Sequence, residues 1–190
     1  MEIEELKKVI RGCLRGDRKS QRALFESYNR AMLGVCLRYT KDKDSAQEVL
    51  QEGFIKVFEK LEDFDFCGSF EGWVRRIMVN TAIDAIRKKN RGAISTDEEF
   101  ILETNELYDH DDDVDKELIN LKAEVALEAV QSLSDAYRTA FNLYVIENLS
   151  HKEIAEILGI SEGTSKSNLA KAKQNLRALL KDKFDKLDNR

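Results

Sequence analysis

Apolar positions recur along most of this chain at three- and four-residue spacing, the period of helices that bury one face. Ile3, Leu6, Val9, Ile10 and Cys13 form the first stripe, which breaks at Gly16-Asp17. A longer helix is predicted from Ser20 to about Tyr39, its core face carrying Leu24, Phe25, Tyr28, Met32, Val35, Cys36 and Tyr39. After a turn at Lys41 to Asp44, Ser45 and Glu48 have capping-box spacing. The helix they open shows Val49, Leu50, Gly53, Phe54, Val57, Phe58 and Leu61 on one face, with Gln47, Glu48, Gln51 and Glu52 largely on the other. Phe64 to Gly68 reads as a short loop, and Ser69 is placed to cap a helix from Phe70 to about Lys89 that ends in a basic burst.

From Ala93 to about Asn120 the stripe fades and the composition turns polar and acidic, the pattern of a flexible linker with at most a short helix. A second helical block begins near Leu121, with Val125, Leu127, Val130 and Leu133 as apolar positions. Ser134 is placed to cap a helix carrying Tyr137, Ala140, Phe141 and Tyr144. The predicted fold is all-α: two small helical domains, residues 1–92 and 121–190, joined by an acidic linker over residues 93–120. The linker could reach at most about 90 to 100 Å when fully extended.

Composition agrees with helices, since the chain has no proline. No run of about 18 apolar residues is present to span a bilayer, and the N-terminus lacks the apolar stretch of a secretory signal. A cytoplasmic location is expected. Cys13, Cys36 and Cys67 are odd in number, widely spaced and set among apolar neighbours, which reads as reduced buried thiols with neither disulfide nor metal. The net charge of −5 argues at first against a nucleic-acid partner, but the charge is segregated. Eleven acidic residues and one lysine lie between Asp97 and Glu117, which leaves thirty basic against twenty-five acidic residues elsewhere, a balance of +5. Such a distribution is that of an acidic linker attached to modules with basic faces.

The chemistry concentrates near the C-terminus. Ser150 and Glu153 repeat the capping-box pattern and open a short helix that Gly159 closes; Ser161 starts a final, basic helix. Ala155, small enough for two helices to cross closely, completes the layout of a DNA-binding helix-turn-helix. The first turns of such a second helix enter the major groove. Ser161, Thr164, Lys166, Ser167 and Asn168 are the candidate contacts there, with Lys171, Lys173 and Arg177 adding attraction to the phosphates.

With its Glu162-Gly163-Thr164 start, this segment resembles the promoter-reading end of the extracytoplasmic-function sigma factors of bacterial RNA polymerase. Ser165 departs from it, standing where an apolar residue commonly packs inward, and Asn168 stands where arginine is frequent. The run from Asp44 to Phe58 is similar to the helix by which such factors dock on the polymerase clamp, which implies a docking face of Asp44, Gln47, Glu48, Gln51 and Glu52. The run from Phe70 to Arg87 resembles the element that recognises and opens minus-ten promoter DNA. The implied contacts are Arg75, Arg76, Asn80, Asp84, Arg87 and Lys88, with the loop from Phe64 to Ser69 as the pocket for a flipped base. Phe70 and Trp73, at i and i+3, are assigned to the core.

The resemblance implies a binding protein, not an enzyme. Its partners would be core RNA polymerase and promoter DNA, with an anti-sigma factor holding it inactive. It would use no cofactor or small-molecule substrate, be a monomer when free, and bind promoter DNA weakly alone. The two promoter elements lie about two DNA turns apart, roughly 34 Å each, within the linker's reach. Two other readings stay open at this level. A stand-alone regulator would use the helix-turn-helix on operators as a dimer, and a hydrolase would need His110-Asp111-Asp112-Asp113 as metal ligands. His151, at the entry to the helix-turn-helix, reads as a phosphate neighbour or a plain surface residue.

Overall fold

A computed structural model describes residues 3–92 and 116–188, all helices and connections, with no strand among the described residues. The expected linker lies outside them up to residue 115, and so does the His110-Asp111-Asp112-Asp113 run. The chain divides into two compact units, Met1–Gly92 and Ala93–Arg190.

In the first unit α1 (Ile3–Leu14) packs on α2 (Arg18–Tyr39), while α2, α3 (Lys43–Glu59) and α4 (Phe70–Gly92) pack pairwise. The core is built from the apolar stripes: Leu6, Ile10, Leu24, Met32, Val35, Tyr39, Val49, Phe54, Val57, Val74, Met78 and Ile83 are all buried. Phe25, expected inward, is 36% exposed and instead lays its ring 4.7 Å from that of Phe54.

Helix starts follow the short oxygen-bearing side chains, with one change of partner. Asp17 accepts from the backbone N–H of Lys19 and Ser20, so α2 begins at Arg18. The box expected of Ser45 and Glu48 does not form. Asp42 lies three residues earlier, and its carboxylate accepts from Ser45 N at 2.7 Å, which places Ser45 inside the first turn of α3. A carboxylate is the stronger cap here because its negative charge meets the positive end of the helix dipole. The Ser20 hydroxyl, which donates to Asp17 at 2.6 Å, and then these backbone bonds hold the Asp17 carboxyl below its ordinary range, and the Ser45 N–H does the same for Asp42.

Two glycines let helices approach closely. A Cβ on Gly12 would lie 2.0 Å from Ser20 Oγ and 2.7 Å from its Cβ, and one on Gly53 would lie 2.2 Å from Met78 Sδ. Gly34, also helical, has nothing within 4 Å of such a Cβ.

In the second unit α5 (Lys116–Ser132) starts ahead of Leu121, and α6 (Asp135–Phe141) follows it. A π-turn (Asn142–Ile146) leads to α7 (His151–Leu158) and α8 (Glu162–Asp188). The long α8 packs against α5, α6 and α7. Ala129, Leu133, Ala172 and Leu176 form the centre of its core, flanked by Val130, Tyr137 and Phe141. Arg138, almost wholly buried, donates to the carbonyls of Gln131 (2.9 Å) and Leu133 (3.1 Å) where α5 ends, and pairs with Asp135. Among the described residues no helix is long and apolar enough to cross a membrane.

The cysteines divide. Cys13 and Cys36 are buried, and burial pushes their thiols up to about 11 and about 12, with the charge of Asp17 a second cause at Cys13. Cys67 is exposed, contrary to the expectation from its apolar sequence neighbours. Phe64 and Phe70 turn inward from the loop while Cys67 stays at its tip, so proximity in sequence did not translate into burial.

Alanine at the glycines tests the packing. Equilibrium urea unfolding is expected to show Gly12→Ala and Gly53→Ala destabilised by about 1–3 kcal/mol, as for overpacked sites. Gly12→Ala is expected to be the worse, because the obstructing Ser20 Cβ cannot swing away. Gly34→Ala should be neutral or stabilising by up to about 1 kcal/mol. Alkylation of the native protein should modify Cys67 rapidly, while Cys13 and Cys36 react only on unfolding; mass mapping of the adducts reads this directly.

Candidate nucleic-acid and partner interfaces

Three outward faces carry the polar residues singled out in the sequence. On α3, Asp44, Gln47, Glu48, Gln51 and Glu52 are all exposed. At about 100° per residue they share roughly 140° of arc. Ile55, 58% exposed, falls in the middle of that arc. Sequence reading passed over it, since an isoleucine in a helix is ordinarily counted toward the core; its phase, four residues after Gln51, was the available signal. Glu52 pairs with Lys56 at 2.9 Å, and Lys56 also lies 3.7 Å from Asp84 on α4.

On α4, Arg76, Asn80, Asp84 and Arg87 are exposed and align within about 80° of arc, while Arg75, half-buried, and Lys88, exposed, flank that stripe. Asp84 stands between two cations, Lys56 and, at 3.6 Å, Arg87. A lone carboxylate would repel a phosphate backbone; this one is partly neutralised by its neighbours. Exposed pairs of this kind contribute about 0–1 kcal/mol, so a partner can displace them at low cost.

The loop before α4 is ordered by rings. Phe64 is buried and lies 5.0 Å from Phe70 and 5.5 Å from Trp73, centroid to centroid. Phe70 is buried as expected, whereas Trp73 is only half-buried. Phe64 is therefore a floor of the loop and offers no free ring to an incoming base. The ring that does face outward is that of Phe66, 37% exposed, 5.0 Å from Phe64 and held at a left-handed φ of +61°. Asp65 Oδ1 accepts from Cys67 N at 2.9 Å across this turn. Ser69 Oγ accepts from Gly72 N at 3.3 Å, so this candidate contact also caps α4.

In the second unit the helix-turn-helix forms as the sequence implies. Ser150 and Glu153 make a full capping box at the start of α7. Gly159 closes the helix at φ +67°, a left-handed conformation costly for residues with a Cβ. Ser161 Oγ then accepts from Thr164 N at 3.0 Å to open α8. Buried Ser165, Leu169, Ala172 and Leu176 define the inward side of α8.

The expected contacts do not form one surface. Thr164, Ser167, Asn168 and Lys171 follow one flank of α8, and Lys166, Lys173 and Arg177 the other. The two lysines are steered by rings: Lys171 Nζ sits 5.9 Å from the centroid of Tyr137 and Lys173 Nζ 5.7 Å from that of Tyr144. The reading of His151 as a surface residue is corrected. It is half-buried, its Nδ1 lies 2.9 Å from Ser165 Oγ, and its ring stacks on Tyr144 at 4.6 Å.

Comparison with known proteins gives the same two-part division. Residues 24–92 match the family model described as Sigma-70 region 2, and residues 123–176 the one described as Sigma-70, region 4. The ECF RNA polymerase sigma factor SigW of Bacillus subtilis (strain 168) is 30% identical over 184 residues, covering 93% of this chain and 97% of that protein. The ECF RNA polymerase sigma-E factor of Haemophilus influenzae is 31% identical over 166 residues, covering 84% of this chain and 86% of the relative. Among solved structures, the sigma factor RpoE in complex with the anti-sigma factor NepR from Bartonella quintana aligns over 84% of this chain and 96% of its own. The TM-score is 0.49 and the identity 22%.

Acid should undo the α7 cap in a defined window. The Ser150 hydroxyl, and then its backbone N–H, hold the Glu153 carboxyl below its ordinary value of 4.5. A depressed carboxylate stabilises the fold fully above 4.5, and that contribution is lost as pH falls through the lower folded value. Thermal unfolding across pH is expected to show Glu153→Gln less stable than the parent near neutrality, the two melting temperatures converging below pH 4.5.

Proposed function

The chain belongs to the extracytoplasmic-function sigma factors of RNA polymerase, and from that premise we propose a division of labour among its three outward faces. As a sigma factor it binds core RNA polymerase and directs promoter-specific initiation of transcription. The face of α3 docks on polymerase through Asp44, Gln47, Glu48, Gln51 and Glu52, with Ile55 as the apolar centre that such a patch needs. The stripe of α4 takes the opened minus-ten strand, Arg76 and Arg87 along its phosphates and Asn80 at a base. In the pocket formed by the loop from Phe64 to Ser69, Phe64 is the floor and Phe66 the ring against which an extruded base stacks, with Ser69 at its border.

The flank of α8 with Thr164, Ser167 and Asn168 reads the minus-thirty-five duplex, while Lys171 on that flank and Lys173 across from it attract phosphates. Residues 93–120 join the two domains as an acidic tether that keeps phosphate away from the free protein. The factor works in the cytoplasm by binding alone, without catalysis, as a monomer until it meets polymerase. An anti-sigma factor covers the same faces in the inactive state. The observation that carries this reading is the order of two sigma regions on one chain, each presenting an exposed polar face over a separate core.

Run-off transcription from a randomised promoter library with purified core polymerase tests it. Addition of this protein is expected to produce starts downstream of a shared two-part motif. Ile55→Asp should weaken binding to core polymerase by about tenfold or more, about 1.4 kcal/mol, with helix content unchanged. Lys171→Ala should weaken all promoters alike and lower the salt slope by about one. Tight binding to duplex DNA by the chain alone as a dimer, with no stimulated transcription, would replace the sigma reading with that of a stand-alone regulator.

A further inference from the structure

A hydroxyl at the innermost position of a recognition helix is an unusual choice. Ser165 is completely buried, and a buried hydroxyl without a partner destabilises a fold. Its partner is supplied by the other helix of the motif, His151 Nδ1 at 2.9 Å. Because a serine hydroxyl both donates and accepts, the bond forms with either imidazole tautomer. The imidazole is itself held: His151 is the first residue of α7, whose start Ser150 and Glu153 cap reciprocally, and its ring stacks on Tyr144 with 24° between planes. Tyr144 carries Lys173 Nζ over its ring, so α8 meets the Tyr144–His151 stack at two places eight residues apart.

Directionality separates this arrangement from apolar packing. A methyl group in the place of the hydroxyl would be satisfied over a range of orientations, whereas a 2.9 Å hydrogen bond is not. Ser165 lies between Thr164 and Lys166, both exposed, so fixing its direction fixes theirs. Side-chain tips on a helix sit about 5–6 Å from the axis, and a rotation of about 10° moves them by about 1 Å. That displacement is enough to spoil a base-edge hydrogen bond and too small to alter attraction to phosphate.

We propose that His151 is a positioning residue of the recognition helix, setting the rotation of α8 through Ser165 and thereby sharpening base discrimination at the upstream promoter element without touching DNA. The proposal rests on the assignment of α8 to that element.

The test uses full-length protein in holoenzyme with core polymerase, selecting promoters from a randomised library. His151→Phe keeps a ring to stack on Tyr144 but removes the hydrogen bond; Ser165→Ala removes the other partner. Each is expected to flatten base preference at the upstream element by about three- to tenfold and leave preference at the downstream element unchanged. Stability, followed by urea unfolding, separates positioning from a merely structural role. The double variant His151→Phe/Ser165→Ala no longer buries an unpaired hydroxyl, so it should recover stability relative to His151→Phe while its base preference stays flattened, no further than in the worse single variant. Wild-type preference in His151→Phe, or preference that returns with stability in the double variant, would overturn the proposal. A parent holoenzyme that selects a downstream motif but no upstream one would instead overturn the assignment of α8 on which it rests.

Discussion

Each helix must dispose of four backbone N–H groups at its start and four carbonyls at its end, and the side chains that meet this requirement set where the helices begin. Six starts are met by a short side chain: Asp17, Asp42, Ser69, Ser134, Ser150 and Ser161 each accept from a backbone N–H within the next three residues. Where α5 ends the service is done by Arg138, whose guanidinium donates to the carbonyls of Gln131 and Leu133. The face of α3, the stripe of α4 and the flanks of α8 lie away from the core stripes beneath them, on helices whose first residues those caps set.

The architecture was largely legible because the apolar period is strong and the caps are common chemistry. The helix-turn-helix was read from Ser150, Ala155, Gly159 and Ser161, whose roles are local and independent of the rest of the chain. Failures came where two local rules competed or where distance in sequence stopped standing for distance in space. Ser45 and Glu48 had the spacing of a capping box, but Asp42 reached the same donor first. Within the loop from Phe64 to Ser69 the sequence did not say which ring is free: Phe64 is buried as floor, while Phe66, at a left-handed φ, is the exposed one. The bond between His151 and Ser165 spans fourteen residues and two helices, and no pattern along the chain announces such a pair.

The eight expected upstream contacts illustrate a subtler limit. Listing donors by residue type placed them in one group, while Ser161 serves as the cap of α8 and helical phase splits the other seven between flanks. One flank combines small polar donors with a lysine and suits base reading; the other is a line of long cations. The cations Lys171 and Lys173 are preordered over tyrosine rings, a contact worth about 0.5–1 kcal/mol at exposed sites. Holding the amines in place leaves less side-chain entropy to lose when they engage a phosphate.

The π-turn at Asn142–Ile146 is, in geometric terms, an α-helix carrying a surplus residue. Loss of one residue there would let the turn relax to α geometry with its flanks still in phase, but the side chains that the wide turn itself presents would change direction. Tyr144 would then leave the imidazole it stacks on, and the support it gives α8 would be lost with it. A one-residue deletion here would therefore be felt at position 151, outside the turn, before it is felt in the helices on either side.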